Sequence, residues 1–385
     1  MNFNLLVASR PFLSLKHILL KNKFKNNKNN ALFFSLGRDA LLYALKKNGL
    51  EKGSTIIIPA YMCKSTLEPI IDFGIKIIFQ DIDDNLNLDL VLLKENITKH
   101  NAKAVLVINY FGFKSNIKDV GKLCSSLKIT SIEDCSHSYM SYNHFYKSIE
   151  DSNFAIYSIR KSLPVYDGGV LRINDNDLNK SFFENADPKT VSLKSQVQLI
   201  YMHLKHIVVR YFEFFIIKIR IFNLYSEFIT KIKNFVRRDG HETKLYESND
   251  PSHPSILLKS YINNTESEYD IKETIIKNYS EIMSKISELG YKPLYSKLPD
   301  KCIPQYAIFY DDSEKLYNFL RNNKIGASRW PDYEMPDQVK NNDSLFPMAN
   351  FYNKKLIMLP IHQCIKKRHI KRILDIMTLC HEIKI

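Results

Sequence analysis

The stretch Asn153–Arg172 reads Asn-Phe-Ala-Ile-Tyr-Ser-Ile-Arg-Lys-Ser-Leu-Pro-Val-Tyr-Asp-Gly-Gly-Val-Leu-Arg. Its apolar run Phe154–Tyr157 predicts a short buried strand. A polar knot follows, with Ser158, Arg160, Lys161 and Ser162, and then the turn chemistry of Pro164 and Asp167-Gly168-Gly169. A second apolar run starts at Val170. Lys161 therefore falls on a loop directly after a strand, where a rigid sheet can hold a reactive group. Two readings of this lysine stand: a solvated loop cation, or a Schiff-base nucleophile whose pKa is lowered by burial and by the neighbouring Arg160.

Working upstream, Ile129-Thr-Ser-Ile-Glu-Asp134 predicts another strand, this one ending in acid. A carboxylate fixed at a strand end is the partner that a pyridinium nitrogen needs if pyridoxal phosphate (PLP) is to act as an electron sink. Asp134 and Lys161 then hold opposite ends of one cofactor. Further out, Ser54–Ala60, Ile75–Gln80 and Lys103–Asn109 read as strands and Ile117–Leu127 as a helix. This alternation predicts a mostly parallel sheet with helices on both faces. Ligands of such sheets bind at the carboxyl ends of the strands, where Cys63, Asn109, Asp134 and Lys161 all fall.

Ile132-Glu133-Asp134-Cys135-Ser136-His137, Tyr157-Ser158-Ile159-Arg160-Lys161 and Asp167-Gly168-Gly169 together resemble the DegT/DnrJ-type PLP-dependent sugar aminotransferases. These belong to the aspartate aminotransferase superfamily, fold type I. The likeness runs from about Phe33 to the C-terminus, apart from residues 191–238. It implies an α/β fold with a mostly parallel seven-stranded sheet in the large domain and a smaller α+β C-terminal domain. The implied boundaries are an N-terminal arm over 1–30 packing on the small domain, a PLP-binding domain over 31–250 and the small domain over 251–385.

The resemblance also implies roles. Lys161 is the catalytic lysine. Asp134 partners the pyridine nitrogen. His137 stands where the family has Gln or His near the cofactor's phenolic oxygen; a histidine held in the core by a hydrogen bond is the plainer reading. Ser158 matches the family's phosphate-binding serine, although Ser158 to Lys161 is two residues shorter than the usual spacing. Leu36-Gly37-Arg38 occupy the place of the Ser-Gly-Thr phosphate turn. A hydroxyl is lost there and a guanidinium gained, so the backbone amides of Gly37 and Arg38, and the Arg38 side chain, are the expected phosphate contacts. The position that stacks an aromatic on the PLP ring falls on Cys63. Tyr61 is the alternative cover, and core packing explains both residues equally well. Arg329 and His362 are placed at the substrate mouth, or else are a surface cation and a helix-entry histidine. The implied chemistry is ping-pong transfer from glutamate to a keto sugar, nucleotide-linked, in a homodimer that serves lipopolysaccharide, capsule or another cell-surface glycan.

Composition narrows the field. The 385-residue chain carries a formal charge of +14, which reads either as a lysine-rich soluble surface or as attraction to anions such as nucleotides, sugar phosphates or acidic lipid. It has neither a basic block interleaved with aromatics nor zinc-type Cys/His spacing, so nucleic acid and metal are not the expected partners. Six scattered cysteines without a CxxC pair point to reduced thiols and a cytoplasmic protein. Residues 191–238 form a basic, aromatic, helical insertion. It packs on the enzyme or its dimer mate, or it rests peripherally on an anionic membrane; its apolar runs are too short to span one. Three alternatives stay open: a dehydratase on the same scaffold, whose relatives typically replace the lysine; a catalytically lapsed binding protein; and a membrane-surface scaffold built on 191–238.

Overall fold

The computed structural model describes residues 5, 7–11, 31–141, 151–165, 167–174, 251–253, 255, 258–259, 265–311, 313–331 and 334–383. The insertion expected at 191–238 lies outside them.

The first sheet has seven strands: β1 (Ala31–Phe34), β2 (Thr55–Pro59), β3 (Lys76–Gln80), β4 (Ala104–Ile108), β5 (Thr130–Asp134), β6 (Phe154–Ser158) and β7 (Gly169–Ile173). Their spatial order is β1-β7-β6-β5-β4-β2-β3. The strands β3, β2, β4, β5 and β6 pair in parallel, whereas β7 is antiparallel to both β6 and β1. The mostly parallel seven-stranded sheet is thus borne out. The central strands are wholly buried, as continuous runs such as Thr55-Ile-Ile-Ile-Pro require when both faces are covered. Helices α1 (Gly37–Lys47), α2 (Lys64–Phe73), α3 (Leu90–His100) and α4 (Ile117–Ser126) make the crossovers.

The strand β1, where the sequence reading had only a turn feeding a helix, closes the sheet edge. Phe34 lies opposite Gly169, and a Cβ on Gly169 would sit 2.3 Å from the Leu36 backbone. Only glycine lets β7 pass this close beneath the entry to α1.

A second, antiparallel sheet follows α5 (Thr265–Glu288): β8 (Lys292–Pro293), β9 (Tyr306–Tyr310) and β10 (Leu356–Pro360), in the order β10-β9-β8. Helices α6 (Glu314–Asn322), α7 (Pro347–Lys355) and α8 (Lys367–Glu382) complete this part. Near the N-terminus, Val7 bridges Ile325 in parallel, donating to the Lys324 carbonyl at 3.0 Å and accepting from Gly326 at 2.7 Å.

One of the places where the two parts meet is especially tight. Gly112 (φ 101°) lies so close to the approach to β9 that a Cβ there would be 2.3 Å from the Ile303 carbonyl oxygen. The Gln305 amide donates to the Phe111 carbonyl at 2.8 Å, and Cys302 Sγ to the Gly112 carbonyl at 2.9 Å. Ser141 Oγ accepts from the Ile303 amide at 2.9 Å and donates to the Gly112 carbonyl at 2.8 Å.

Candidate active site

The parallel register of β5 and β6 sets Asp134 opposite Ile156, so the two strands deliver their carboxyl ends side by side. Asp134 is the last residue of β5; its Oδ1 accepts the Ser136 amide at 2.8 Å. Three residues on, His137 is buried with its ring parallel to Phe111 (centroids 5.6 Å apart, 9° between planes) and edge-on to Trp330. Burial, and then the positive charges of Lys161 and Arg10, push its pKa well below the ordinary 6.5. The imidazole is therefore neutral. The Phe111 amide donates to Nδ1 at 3.4 Å, which puts the ring proton on Nε2 and makes that atom a hydrogen-bond donor.

Lys161 ends a 3-10 turn, Ile159–Lys161, that follows β6 directly. The Ile159 amide bonds to the Gly168 carbonyl at 2.8 Å and the Leu163 amide to the Ile159 carbonyl at 2.9 Å. Gly168 has φ 115°, a conformation other side chains rarely adopt. The Asp167-Gly168-Gly169 turn thus doubles back to brace the lysine loop.

At the first turn of α1, a Cβ on Gly37 would lie 3.3 Å from the Tyr157 carbonyl oxygen, 3.5 Å from Ser158 Cβ and 3.6 Å from Ser136 Oγ. Gly37, Ser136 and Ser158 therefore converge on a helix N-terminus, whose free amides and dipole favour an anion. Asp39 completes this turn by accepting the Leu36 amide at 3.2 Å. Burial pushes its pKa up to about 6 against the opposing effects of Arg38, that amide and Arg160. The Arg38 guanidinium donates to the Ser65 carbonyl at 3.2 Å and lies 3.9 Å from Glu68, so part of it engages α2.

The other expected residues have different surroundings. Tyr61 is fully buried among Tyr110, Phe111, Trp330 and Tyr352, and its hydroxyl donates to the Trp330 carbonyl at 2.9 Å. Cys63 is partly exposed at the N-cap of α2, with Sγ 3.1 Å from Ser65 Oγ. Arg329 lies over the Tyr317 ring at 4.9 Å and 3.6 Å from Glu314. His362 shares one cleft with Lys161 and His137, together with Ser9 and Pro11 of the N-terminal segment. Its Nδ1 accepts the Cys364 amide at 3.3 Å and Nε2 lies 3.0 Å from the Ala8 carbonyl. Asn278 of α5 steadies that loop by donating to the Ile361 and Ile365 carbonyls at 3.1 and 3.3 Å. Arg329 is not among the residues lining this cleft.

Sequence reasoning missed Gln305 and Gln363, which also line the cleft, and the Phe111 amide. A glutamine carries no motif of its own. The only available signal was position: Gln305 precedes β9 and Gln363 follows His362.

Residues 22–192 match the model of the DegT/DnrJ/EryC1/StrS aminotransferase family. This bears out the resemblance read from the motifs over that stretch, which is under half of the 385 residues. Among curated proteins, GDP-4-keto-6-deoxy-D-mannose 3-dehydratase of Escherichia coli O55:H7 is 38% identical over 96 residues, 25% of this chain and 24% of that protein. UDP-2-acetamido-2-deoxy-3-oxo-D-glucuronate aminotransferase of Pseudomonas aeruginosa is 30% identical over 146 residues, 37% of this chain and 40% of that protein. The chain thus matches between about a quarter and two-fifths of the length of these relatives. The likeness in structure runs further. The apo form of the putative sugar aminotransferase Spr1654 from Streptococcus pneumoniae superposes with a TM-score of 0.65 at 12% identity, over 99% of this chain and 98% of that one. Helicobacter pylori PseC, an aminotransferase of pseudoaminic acid biosynthesis, gives a TM-score of 0.64 at 15% identity, over 98% and 99%. The fold is that of these aminotransferases.

Proposed function

Since residues 22–192 belong to the DegT/DnrJ/EryC1/StrS aminotransferase family, we propose that the protein is a PLP-dependent aminotransferase. It moves an amino group, from glutamate, to a nucleotide-linked keto sugar for a cell-surface glycan. The observation that carries this reading is the pair of adjacent parallel strand ends, one leading to Asp134 and His137 and the other to Ser158 and Lys161. The residues fit the cofactor. They offer a buried carboxylate, a neutral imidazole with a donor nitrogen, a lysine on the same cleft and a glycine cradle at a helix N-terminus.

When bound, PLP supplies an electron sink for the carbon that carries the amino group. Gly37, Ser136 and Ser158 hold its phosphate, with Arg38 contributing its backbone amide. The Asp134 carboxylate accepts from the pyridine N–H and so keeps that proton in place. His137 Nε2–H donates to the phenolic oxygen. Being neutral, it adds a hydrogen bond without adding a positive charge beside Lys161. The Lys161 amine would take the proton from the substrate carbon and give it back, acting as general base and then general acid. Cys63 and Tyr61 remain alternatives for covering the ring. Cys63 is the one with exposed surface, since Tyr61 is fully buried by aromatic neighbours. His362, on the cleft wall, is a substrate contact; for Arg329 we propose only an indirect role through α6. We propose that the enzyme works as a homodimer in the cytoplasm, with residues 191–238 set against the enzyme, its dimer mate or the inner face of the membrane. Among the described residues, no helix is long and apolar enough to cross a bilayer.

A second reading, a sugar dehydratase, is favoured by the 38% identity to the E. coli 3-dehydratase. The lysine at position 161 opposes it, because that chemistry goes with replacement of the lysine. The purified protein with added PLP is expected to show a long-wavelength absorbance band that Lys161→Ala lacks and that L-glutamate discharges. A wild-type protein without a band at saturating PLP overturns the proposal. A band that glutamate leaves untouched points away from glutamate as the donor or away from transamination.

A further inference from the structure

Two glutamines reach from the C-terminal part of the chain onto the lysine loop at consecutive residues. Gln305 Nε2 donates to the Lys161 carbonyl at 3.1 Å, and Gln363 Nε2 donates to the Ser162 carbonyl at 3.3 Å. A carbonyl can only accept, so in both cases the NH2 group must face the loop and the amide oxygen must face away from it. Both side chains line the cleft that holds Lys161 and His137. Both Oε1 atoms are shielded from solvent and have no hydrogen-bond partner among the described residues. A buried acceptor without a donor is costly, and two of them in one cleft call for an explanation.

We infer that Gln305 and Gln363 form the acceptor edge of the substrate site and receive O–H donors from the hydroxyl groups of a sugar ring. The cleft's other lining groups decide the class of donor. Among the described residues that line it, none is a carboxylate. A fixed cation would find no counter-charge on this wall, whereas neutral hydroxyls match neutral amide oxygens; the amino donor reacts at Lys161 itself, as a neutral amine. The glutamines thus read the sugar rather than the amino donor. They do so from the same amides that hold the Lys161 loop, so sugar binding and lysine placement share one contact. This assignment rests on the aminotransferase reading above, and names the part of the substrate that this wall of the cleft recognises.

The test uses the PLP-loaded enzyme and isothermal titration with two probe pairs, UDP-glucose against UDP and GDP-mannose against GDP. Within at least one pair the sugar-bearing member is expected to bind tighter. Gln305→Met and Gln363→Met are each expected to shrink that gap by about two- to tenfold, the range for one hydrogen bond, and to leave the bare diphosphate unchanged. Gln363→Glu keeps an acceptor oxygen but loses the donor to Ser162, so it retains the gap if the oxygen contacts sugar. If Nε2 bracing alone matters, Glu and Met lose it equally, and the inference fails. A gap that survives both Met variants, or no gap within either pair in the wild type, also overturns it and leaves the aminotransferase reading standing. If neither diphosphate nor either sugar nucleotide binds, the nucleotide-sugar reading falls, and this inference with it. Discharge of the cofactor band by L-glutamate reads the amino-donor side separately. In the Met variants it also registers the lost brace on the Lys161 loop, so it is expected to fall by no more than the sugar gap shrinks; a loss confined to glutamate would reassign the glutamines to the donor and overturn the inference.

Discussion

The carboxyl ends of β5 and β2 began as equals in the sequence: each follows a buried apolar run, and each supplied candidate cofactor contacts. They differ in what surrounds them. After β5, Asp134 accepts the Ser136 amide and Ser136 lies beside Gly37 of α1, among small polar groups, while His137 packs on Phe111 and Trp330. After β2, Tyr61 turns inward to Trp330, which lies 269 residues away in sequence, and of the two candidates Cys63 is the one that keeps exposed surface. Local pattern therefore fixed where both segments end. What differs is the character of the neighbours: small polar groups about Asp134 and Ser136, a cluster of aromatic rings about Tyr61.

This contrast can be broken by substitution. Lys161→Ala, beyond the β6 end, is expected to lower turnover by more than about a thousandfold, since it removes both nucleophile and proton carrier. Tyr61→Ala is expected to cost about 3–5 kcal/mol of stability, as for other buried aromatics, measured by urea unfolding. Tyr61→Phe is expected to cost about 1 kcal/mol with cofactor affinity unchanged. A Tyr61→Phe protein of normal stability but weakened PLP binding would put Tyr61 at the ring and erase the contrast.

A third expectation sharpens it through pH. His137 has its folded-state pKa well below 6.5 because the buried, cation-flanked ring resists protonation. The unfolded chain then takes up the proton first. The associated stability is present above about pH 6.5 and is lost as pH falls from there toward the folded pKa. His137→Gln is expected to flatten unfolding free energy against pH in that window, whereas Cys63→Ser leaves the slope as in the wild type. Asp39 works in the opposite sense. Its pKa is raised to about 6, so its contribution is fully present below the ordinary value of 3.8 and declines as pH rises to about 6. The smallest effect is expected for Arg329→Ala, whose side chain lies on Tyr317 and near an exposed Glu314. Its kcat/KM is expected to stay within about twofold of wild type, since an exposed ion pair contributes about 0–1 kcal/mol.

Much of the fold was legible because the informative runs are long and chemically plain. Thr55-Ile-Ile-Ile-Pro and Ala104-Val-Leu-Val-Ile read as buried parallel strands and are. The strand β1 was not legible, since Ala31-Leu-Phe-Phe is short and its partner β7 lies well over a hundred residues on. At the site, Asp134 and Lys161 carry ionisable groups at strand ends, which is a pattern that sequence can display. The orientation of a glutamine amide is set by which carbonyl it meets, and no sequence pattern encodes that for Gln305 or Gln363. The tautomer of His137 likewise depends on the Phe111 amide, whose residue has φ 56° and so points its N–H where a regular strand would not.

The tight junction at Gly112 has a thermodynamic consequence. The segment Cys302–Gln305 is bonded both to the loop that sets the His137 tautomer and to the loop that carries Lys161. The second sheet therefore cannot come away while the chemistry-bearing loops keep their shape. Heat or denaturant is expected to melt the two parts in a single transition, with the loss of far-ultraviolet dichroism coinciding with the loss of the cofactor signal. The candidate site, though built on the first sheet, draws its stability from both.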